Sequence, residues 1–460
     1  MTLIKSISGI RGTIGGKAGQ NLTPQDLVES AAAFGYWCLA NSPHKTIVVG
    51  RDGRISGEMV SQLVVQTLRL SGLNVIDLGL STTPTVEMIV QEEAAAGGII
   101  FTASHNPMQW NALKFLNEKG EFISAADGKA LLRILADGAI EYADVKSIGT
   151  YEVRTDAIQH HIDKILALPT VHTELIRSKK YKIVVDPVNS TGAIAVPALL
   201  DALGCKYSVL NGEINGRFAH NPEPLEENLT SLMQAVLKEK ADLGIAVDPD
   251  VDRLAFIQED GAYFGEEYTL VAIADYILQK TPGNTVSNLS STRALRDVTL
   301  KHGGKYSASA VGEVNVVEMM KSEKAVIGGE GNGGIILPAL HYGRDALVGI
   351  ALFLSYLAES DSRASVLRGK FPTYFMSKNK IELESGINPD HLLEKLAQKY
   401  SQEQLNQIDG LKIDLEDGWI HLRRSNTEPV LRIYTESTSE VIAEHLANKI
   451  KADIYELLKG

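Results

Sequence analysis

Ser104 lies in a short loop that could carry a nucleophile, Thr102-Ala103-Ser104-His105-Asn106-Pro107, directly after the apolar run Gly97–Phe101. A hydrolase triad is a poor explanation, because adjacent Ser and His residues rarely form the required hydrogen bond and G-x-S-x-G is absent. Lys114 is a nearby cation. Ser, Asn and Pro are also common turn residues, so a plain turn remains open on this segment alone.

Three aspartates at alternate positions form a second loop, Asp248-Pro249-Asp250-Val251-Asp252-Arg253. Such carboxylates repel one another unless a cation neutralises them, and a hard divalent ion with oxygen ligands suits them best. An EF-hand is excluded, because Arg253 stands where that loop needs glycine and Leu254–Ile257 has the pattern of a strand. The sequence therefore predicts a Mg²⁺ site at Asp248, Asp250 and Asp252, against the alternative of a solvated acidic turn.

A glycine-rich loop, Gly328–Gly334, formally matches G-x-G-x-x-G. A dinucleotide site requires a helix at the last glycine, whereas the apolar segment Ile335–Pro338 indicates a strand or turn. We therefore interpret the loop as a backbone segment that presents Glu330 and Asn332 to a polyol.

A fourth polar segment, Arg423–Pro429, combines arginines, hydroxyls and an amide. Arg423, Ser425, Asn426 and Thr427 could together hold a phosphate, because arginine and turn N–H groups are good phosphate donors. A polar turn without a ligand is the alternative.

The elements that must position these loops follow an α/β pattern, with short β-rich runs followed by amphipathic helical stretches. The runs form three successive triplets, namely Thr46–Gly50, Asn74–Leu78 and Gly98–Phe101; Lys182–Val185, Tyr207–Leu210 and Gly244–Val247; and Thr285–Leu289, Lys305–Ala308 and Ala325–Ile327. In each triplet a chemical loop follows the third run, where α/β sheets bind ligands. Three tandem similar α/β domains with mixed sheets are predicted, although one large sheet with insertions is an alternative.

The order of predicted strands and helices changes near Phe371, where four strand patterns and two helical patterns predict an α+β domain. The predicted strands are Lys380–Glu384, Leu411–Leu415, Trp419–Arg423 and Val430–Glu436, and the predicted helices are Pro389–Tyr400 and Ser439–Leu458. The expected domains are residues 1–155, 156–256, 257–370 and 371–460.

The net charge of −12 argues against sequence-independent binding of nucleic acid, which needs clustered lysine and arginine. The two cysteines, Cys38 and Cys205, lie in apolar segments and suggest no disulfide framework. The N-terminus lacks a signal-peptide pattern and the chain lacks a long apolar run, so we expect a cytoplasmic protein without a membrane span.

Taken in order along the whole chain, T-A-S-H-N-P, D-x-D-x-D-R and R-x-S-N-T-E-P resemble motifs of the α-D-phosphohexomutase superfamily. This superfamily includes phosphoglucomutases, phosphomannomutases and phosphoglucosamine mutases. The resemblance implies three α/β domains and a fourth domain similar to the TATA-box-binding protein, around a central cleft. It also implies interconversion of hexose 1- and 6-phosphates through a phosphoserine and a sugar 1,6-bisphosphate, which serves as intermediate and activator.

Residue roles follow from the same resemblance. Ser104 would be the phosphoserine and, with the three aspartates, a Mg²⁺ ligand, and His105 would accompany it. Arg11 would reach the reacting phosphoryl group, Lys114 would transfer a proton, and Arg253 would contact sugar or phosphate. Arg423, Ser425, Asn426 and Thr427 would form the phosphate-binding loop.

The chain departs from the family pattern in the sugar loop, which is often G-E-x-S-G-H. Asn332 stands in place of the serine and Gly334 in place of the histidine. Ser290 lies near the place of a family lysine, and Glu313 stands where some members have histidine. The sugar therefore remains open among glucose, mannose, glucosamine and N-acetylated sugars.

A mutase acting on small sugar phosphates, as a monomer or homodimer, is the leading hypothesis. A Mg²⁺-dependent phosphatase is the second, if the cleft admits water. A non-catalytic sugar-phosphate sensor is the third, although a sensor needs no nucleophile beside a metal site.

Overall fold

Four successive units, each with its own β-sheet, make up the protein. The computed structural model describes residues 1–6, 9–138, 140–383, 387–424 and 430–459. The first three units are α/β and the fourth is α+β, which confirms the predicted fold class. The predicted boundaries at 155, 256 and 370 stay a prediction.

The first unit is built on a seven-stranded sheet in the order β1-β2-β6-β5-β3-β4-β7. Its elements are β1 Ile4–Ser6, β2 Gly9–Thr13, α1 Pro24–Asn41, β3 Thr46–Arg51, α2 Gly57–Leu70, β4 Asn74–Leu80, α3 Thr83–Glu92, β5 Gly97–Phe101, β6 Trp110–Leu116, α4 Ala125–Asp137 and β7 Tyr151–Val153. Strands β5, β3, β4 and β7 are parallel, and β6, β2 and β1 extend the sheet in antiparallel fashion.

The second and third units each contain a four-stranded sheet. The second comprises α5 Ala157–Leu166, α6 Thr173–Lys179, β8 Lys182–Asp186, α7 Gly192–Ala202, β9 Lys206–Val209, α8 Thr230–Glu239, β10 Leu243–Val247 and β11 Leu254–Ile257. The third comprises α9 Glu266–Lys280, β12 Asn284–Asn288, α10 Ala294–Lys301, β13 Tyr306–Ser309, α11 Glu313–Glu323, β14 Ala325–Glu330, β15 Gly334–Ile336, α12 Ala346–Ser360 and α13 Ala364–Arg368.

The three α/β units share one strand arrangement. Strand orders β6-β5-β3-β4, β11-β10-β8-β9 and β15-β14-β12-β13 place the third parallel strand beside the first, followed by an antiparallel hairpin partner. The serine, aspartate and glycine loops therefore occupy the same position in their units, between the third strand and its hairpin partner. This common topology confirms three similar units and excludes one large sheet with insertions.

Central strands are apolar on both faces because helices or neighbouring units cover both, as expected for parallel strands. Ile183, Val184 and Val185 of β8 are fully buried. The second and third units share one hydrophobic core, in which Phe256 of β11 stacks on Phe353 of α12 with ring centroids 3.9 Å apart. This shared core fixes the aspartate loop relative to the glycine loop.

The fourth unit has a five-stranded antiparallel sheet in the order β16-β20-β19-β18-β17. Its elements are β16 Phe375–Glu382, α14 Pro389–Lys399, β17 Gln404–Asn406, β18 Leu411–Leu415, β19 Gly418–Arg424, β20 Val430–Ser437 and α15 Glu440–Lys459. The first strand begins five residues earlier than predicted, and the predicted last residue, Glu384, lies outside the described residues.

Within the part of the chain that the structure describes, no helix combines the length and apolar character needed to cross a bilayer.

Candidate active site

The serine loop places Ser104 in a backbone conformation that is rare for residues other than glycine. Its φ of 47° lies in the left-handed region, and its N–H donates to Thr102 Oγ1 at 2.9 Å. Strained residues of this kind persist where the surrounding structure holds them, often at functional sites. The Ser104 hydroxyl is nearly buried and donates to Asp248 Oδ2 at 2.7 Å.

Arg54 holds the serine loop in this conformation. Its buried guanidinium donates to the carbonyl oxygens of Ser104, Asn106, Pro107 and Trp110 at 2.5–2.9 Å. Its Nε donates to Asp52 Oδ2 at 3.0 Å. Five donors in a planar fork suit this role, which no other side chain offers.

The aspartate loop has a similarly determined backbone. Val251 is fully buried with φ 63°, an outlier for a β-branched residue. Ser190 and Thr191 donate their hydroxyls to the carbonyl of Pro249 at 2.6 and 2.8 Å. Asp248 Oδ1 accepts two N–H groups of its own loop, from residues 252 and 253, both at 3.1 Å.

Each of the other two aspartates has one oxygen paired with a cation. Asp250 Oδ2 accepts from Lys114 Nζ at 2.8 Å and from Thr83 Oγ1 at 2.6 Å, and Asp252 Oδ2 accepts from Arg344 Nη2 at 2.6 Å. Asp250 Oδ1 and Asp252 Oδ1 are buried and have no hydrogen-bond donor among the described residues.

Charge crowding separates the proton affinities of these carboxylates. Burial and the neighbouring Asp252 and Asp250 raise the pKa of Asp248 well above its usual value. Burial also acts to raise the pKa of Asp250, but the Lys114 ammonium outweighs it and holds that pKa below its usual range.

A divalent cation fits this donor set. Ligand oxygens of Asp248, Asp250 and Asp252 lie within 4.8 Å of one another, and two of their buried oxygens lack a donor. Hard cations such as Mg²⁺ and Ca²⁺ bind oxygen ligands of this kind. The predicted cluster of three carboxylates is therefore a candidate metal site.

The glycine loop presents Glu330 at the end of β14. Glu330 Oε1 accepts from Asn288 Nδ2 at 2.8 Å and from the N–H of Gly312 at 3.0 Å, and its Oε2 accepts from Arg344 Nη1 at 2.8 Å. Asn332 turns back on its own loop, where its Oδ1 accepts from the N–H of Gly334 at 3.2 Å.

The fourth unit contributes Arg423 at the end of β19, with its Nε 3.2 Å from Asp409 Oδ2. Ser425, Asn426 and Thr427 lie outside the described residues.

All four units meet around one cavity of about 520 Å³. Of the predicted site residues, it is lined by Arg11, Ser104, His105, Lys114, Arg253, Glu330 and Arg423. The three aspartates are fully buried outside the cavity lining, and Asn332 is not among the residues that line it. A central cleft between the units is thus present.

His105 is neutral in this setting. Burial and the cations Arg253, Lys114 and Arg344 lower its pKa to about 2. Lys114 remains charged, because Asp250 and Asp252 raise its pKa by more than burial lowers it.

Four family descriptions match the chain in succession. They are domains I, II and III and the C-terminal domain of phosphoglucomutase/phosphomannomutase, at residues 3–141, 159–261, 265–374 and 380–452. The chain belongs to the phosphoglucomutase/phosphomannomutase family.

Relatives of full length support this assignment. The chain is 33% identical to the phosphoglucomutase/phosphomannomutase of Thermococcus kodakarensis, over 98% of the chain and 99% of the relative. It is 31% identical to the phosphoglucosamine/phosphogalactosamine mutase of Sulfurisphaera tokodaii, over 96% of the chain and 97% of the relative.

Among solved structures, a phosphoglucomutase/phosphomannomutase family protein of Burkholderia thailandensis superimposes with a TM-score of 0.85 at 26% identity, covering 98% and 96% of the two chains. Family membership confirms the predicted enzyme class, an isomerase of the phosphohexomutase type.

Sequence reasoning missed several residues that hold this candidate site together, namely Asp52, Arg54, Thr83 and Arg344. A signal existed for two of them. Asp52-Gly53-Arg54 follows β3, so its two charged residues lie at the carboxyl end of a central strand.

Proposed function

We propose that this phosphohexomutase interconverts hexose 1-phosphates and hexose 6-phosphates by exchanging one phosphoryl group with Ser104. The hydrogen bond from Ser104 Oγ to Asp248 Oδ2, at the wall of a cavity that all four units enclose, is the observation that carries this proposal. The Ser104 hydroxyl oxygen lies directly beside the candidate metal site, which supports a role for this oxygen as the nucleophile.

Phosphoryl transfer depends on positioning and on stabilising charge on the equatorial phosphoryl oxygens. Arg11, Arg253 and Lys114 line the same cavity as Ser104 and bring positive charge to the reacting group. Lys114 carries a proton on Nζ. It would donate this proton to Ser104 Oγ when the phosphoryl group leaves that oxygen for the sugar. Neutral His105 adds no charge and can accept or donate one hydrogen bond.

Asp248, Asp250 and Asp252, together with a Ser104 oxygen, would hold Mg²⁺. When bound, this ion would supply positive charge beside the transferring phosphoryl group. The unpartnered oxygens of Asp250 and Asp252 support this assignment.

A sugar 1,6-bisphosphate would be the intermediate, and it must turn end for end before its second phosphate returns to Ser104. The cavity of about 520 Å³ falls within the usual range of small-molecule sites, and Arg423 lies on its fourth-unit wall. We infer that Arg423, with Ser425, Asn426 and Thr427, holds the phosphate that is not reacting in both orientations. The cleft would keep water from the phosphoserine.

Glu330, which lines the cavity, and Asn332 of the same loop would recognise sugar hydroxyls. Relatives named for glucose, mannose, glucosamine and galactosamine phosphates make these sugars the candidates.

The test is a panel of glucose, mannose, glucosamine and N-acetylglucosamine 1-phosphates, assayed with Mg²⁺ and glucose 1,6-bisphosphate. We expect the 6-phosphate as product with at least one sugar, and kcat/KM ranks the sugars. Release of inorganic phosphate in place of the 6-phosphate would identify a phosphatase. Binding of sugar phosphates without turnover of any of them would identify a sensor.

A further inference from the structure

Arg344 is a buried cation where the aspartate loop (residues 248–253, here the metal loop) meets the glycine loop (residues 328–334, here the sugar loop). It lies between Gly343 and Asp345, directly before α12, and its side chain is 9% exposed. Asp345 caps the helix by accepting from the N–H groups of Leu347 and Val348, which fixes the backbone at this point.

The Arg344 guanidinium contacts three carboxylates from three separate segments. Its Nη2 donates to Asp252 Oδ2 at 2.6 Å, its Nη1 donates to Glu330 Oε2 at 2.8 Å, and its Nε lies 3.0 Å from Glu313 Oε2. The backbone N–H of Arg344 also donates to Glu313 Oε1 at 3.1 Å. One side chain therefore joins the aspartate loop, the end of β14 and the start of α11.

These contacts occupy one oxygen of Asp252 and one of Glu330. Asp252 Oδ1 is buried and has no donor among the described residues, so it is free to bind a metal. Glu330 is fixed from both sides, by Arg344 on Oε2 and by Asn288 on Oε1. The orientation of a metal carboxylate and that of a sugar-loop carboxylate are thus set by the same guanidinium.

Gly334 makes room for this arginine. A Cβ at Gly334 would lie 2.3 Å from Arg344 Cδ, well inside van der Waals contact. Gly334 is not among the glycines with positive φ, so space is what requires glycine here. The glycine in the sugar loop and the arginine before α12 are therefore structurally coupled.

We propose that Arg344 is a positioning residue that couples the metal loop to the sugar loop, and that Gly334 is present to admit it. The proposal rests on the proposed function, since it assigns Asp252 to the metal and Glu330 to the sugar. Arginine is required because its planar fork reaches three carboxylates at once, whereas a lysine ammonium is a single point charge.

The first test is Arg344→Lys, which keeps the positive charge and loses the fork. We expect the affinity for Mg²⁺ and the affinity for glucose 6-phosphate, both measured by calorimetry on the whole protein, to fall together by about tenfold, the effect of losing one charge-assisted hydrogen bond at each site. The KM for sugar phosphate should rise, and phosphorylation of Ser104 by glucose 1,6-bisphosphate should need more Mg²⁺.

Arg293→Lys is the matched control. Arg293 is also 9% exposed and pairs with Asp414 at 3.2 Å, but it joins the third and fourth units away from the cavity lining. Its replacement should lower the melting temperature without changing the affinity for Mg²⁺. Equal effects of the two lysine variants on Mg²⁺ affinity would reduce Arg344 to a structural role and overturn the proposal.

A second test measures the coupling of Gly334 and Arg344 by melting temperature. Gly334→Ala alone should be strongly destabilising, because the new Cβ meets a guanidinium stem that three carboxylates hold. In an Arg344→Ala background the same change should cost little. Equal costs in both backgrounds would contradict the coupling, and if Arg344→Ala does not fold, the Arg344→Lys comparison decides alone.

Failure of the proposed function would look different. A native chain that binds no Mg²⁺ and converts none of the four sugar phosphates would overturn the proposed function. A native chain that does both, with an Arg344→Lys variant that keeps both affinities, would overturn this inference only.

Discussion

Ser104 Oγ lies 2.7 Å from Asp248 Oδ2, and this hydrogen bond joins the hairpin loop of the first α/β unit to that of the second. The backbone N–H of Thr83 supports the same contact by donating to the carbonyl of Asp250 at 2.9 Å. Ser104 and the candidate metal site therefore belong to different units and are brought into contact by packing between them. The candidate active site depends on that interface as much as on either loop.

Replacement of Arg54 should destabilise the serine loop, residues 102–107, and with it the folded protein. Arg54→Met leaves Asp52 without its buried cation and removes donors from four carbonyl groups, so we expect a loss of about 3–5 kcal/mol in the free energy of unfolding. Chemical denaturation measures this loss. Arg51→Met is the control, since Arg51 is partly exposed and, among the described residues, donates to a single carbonyl, that of Asp52 at 3.4 Å. A similar loss in both variants would contradict the special role of Arg54.

Metal affinity should depend on Asp250 and, less strongly, on Thr83. Asp250→Asn removes a charged ligand and should abolish measurable Mg²⁺ binding in calorimetry. Thr83→Val keeps the side-chain shape and removes only the donor to Asp250, so we expect a loss of about tenfold to a hundredfold, typical of groups that orient metal ligands. Unchanged Mg²⁺ affinity in Asp250→Asn would show that the aspartate loop is not the metal site.

Arg423 should bind phosphate, and its neighbour should not. Arg423 lines the cavity, whereas Arg424 is exposed and pairs with Asp390, because successive residues of a strand point to opposite faces. Arg423→Ala should raise the Kd for glucose 6-phosphate by about tenfold or more, the effect of a lost charge-assisted hydrogen bond, and leave binding of free glucose unchanged. Arg424→Ala should change neither value; equal losses in the two variants would contradict the assignment.

The pH dependence of stability should report on His421, which lies behind Arg423. Its Nδ1 contacts Ser290 Oγ at 2.9 Å and its Nε2 contacts the carbonyl of Asp409 at 2.8 Å, an arrangement that suits a neutral ring with the proton on Nε2. Burial, only partly opposed by the Asp409 carbonyl, lowers the pKa of His421 to about 4 from 6.5.

Below pH 6.5 His421 therefore binds a proton in the unfolded state but not in the folded state. The free energy of unfolding falls with pH until the pH reaches about 4. The loss attributable to His421 is up to about 3 kcal/mol. His421→Asn, compared with the native chain by urea denaturation at pH 7 and pH 4.5, should show a smaller loss of stability on acidification. An identical loss in both proteins would show that His421 does not contribute.

The serine, aspartate and glycine loops could be predicted from the sequence because each follows an apolar strand. In α/β sheets, ligands bind at the carboxyl ends of such strands. The proximity of Ser104 and Asp248, which are more than a hundred residues apart in the chain, was implied only by the resemblance to the α-D-phosphohexomutase superfamily. No sequence pattern predicts the antiparallel strand β6, and β15 overlaps the segment Ile335–Pro338, whose apolar pattern indicates either a strand or a turn. Such strands form because they pair with the third parallel strand of their unit. A local sequence pattern does not reveal this pairing.

Arg344 could not be assigned from spacing, since its partners Asp252 and Glu313 lie far from it in the chain. Only the packing of α12 between the second and third units brings them together. The sequence shows that Gly334 departs from the family pattern. It does not show the physical reason, which is that the aliphatic part of the Arg344 side chain packs against Gly334 in the folded protein. The strained φ of Ser104 is likewise explained by the carbonyl groups that Arg54 gathers, and that arginine lies fifty residues away.

The central claim is that Ser104 carries the transferred phosphoryl group. The most direct measurement is intact mass followed by peptide mapping, first after the protein has been incubated with glucose 1,6-bisphosphate and Mg²⁺, and again after an excess of hexose monophosphate has been added. We predict one phosphate per chain, on Ser104, which the hexose monophosphate then removes; Ser104→Ala should take up none, remain folded and lose at least about a thousandfold in kcat. Phosphate on another residue, or full turnover by Ser104→Ala, would contradict the account.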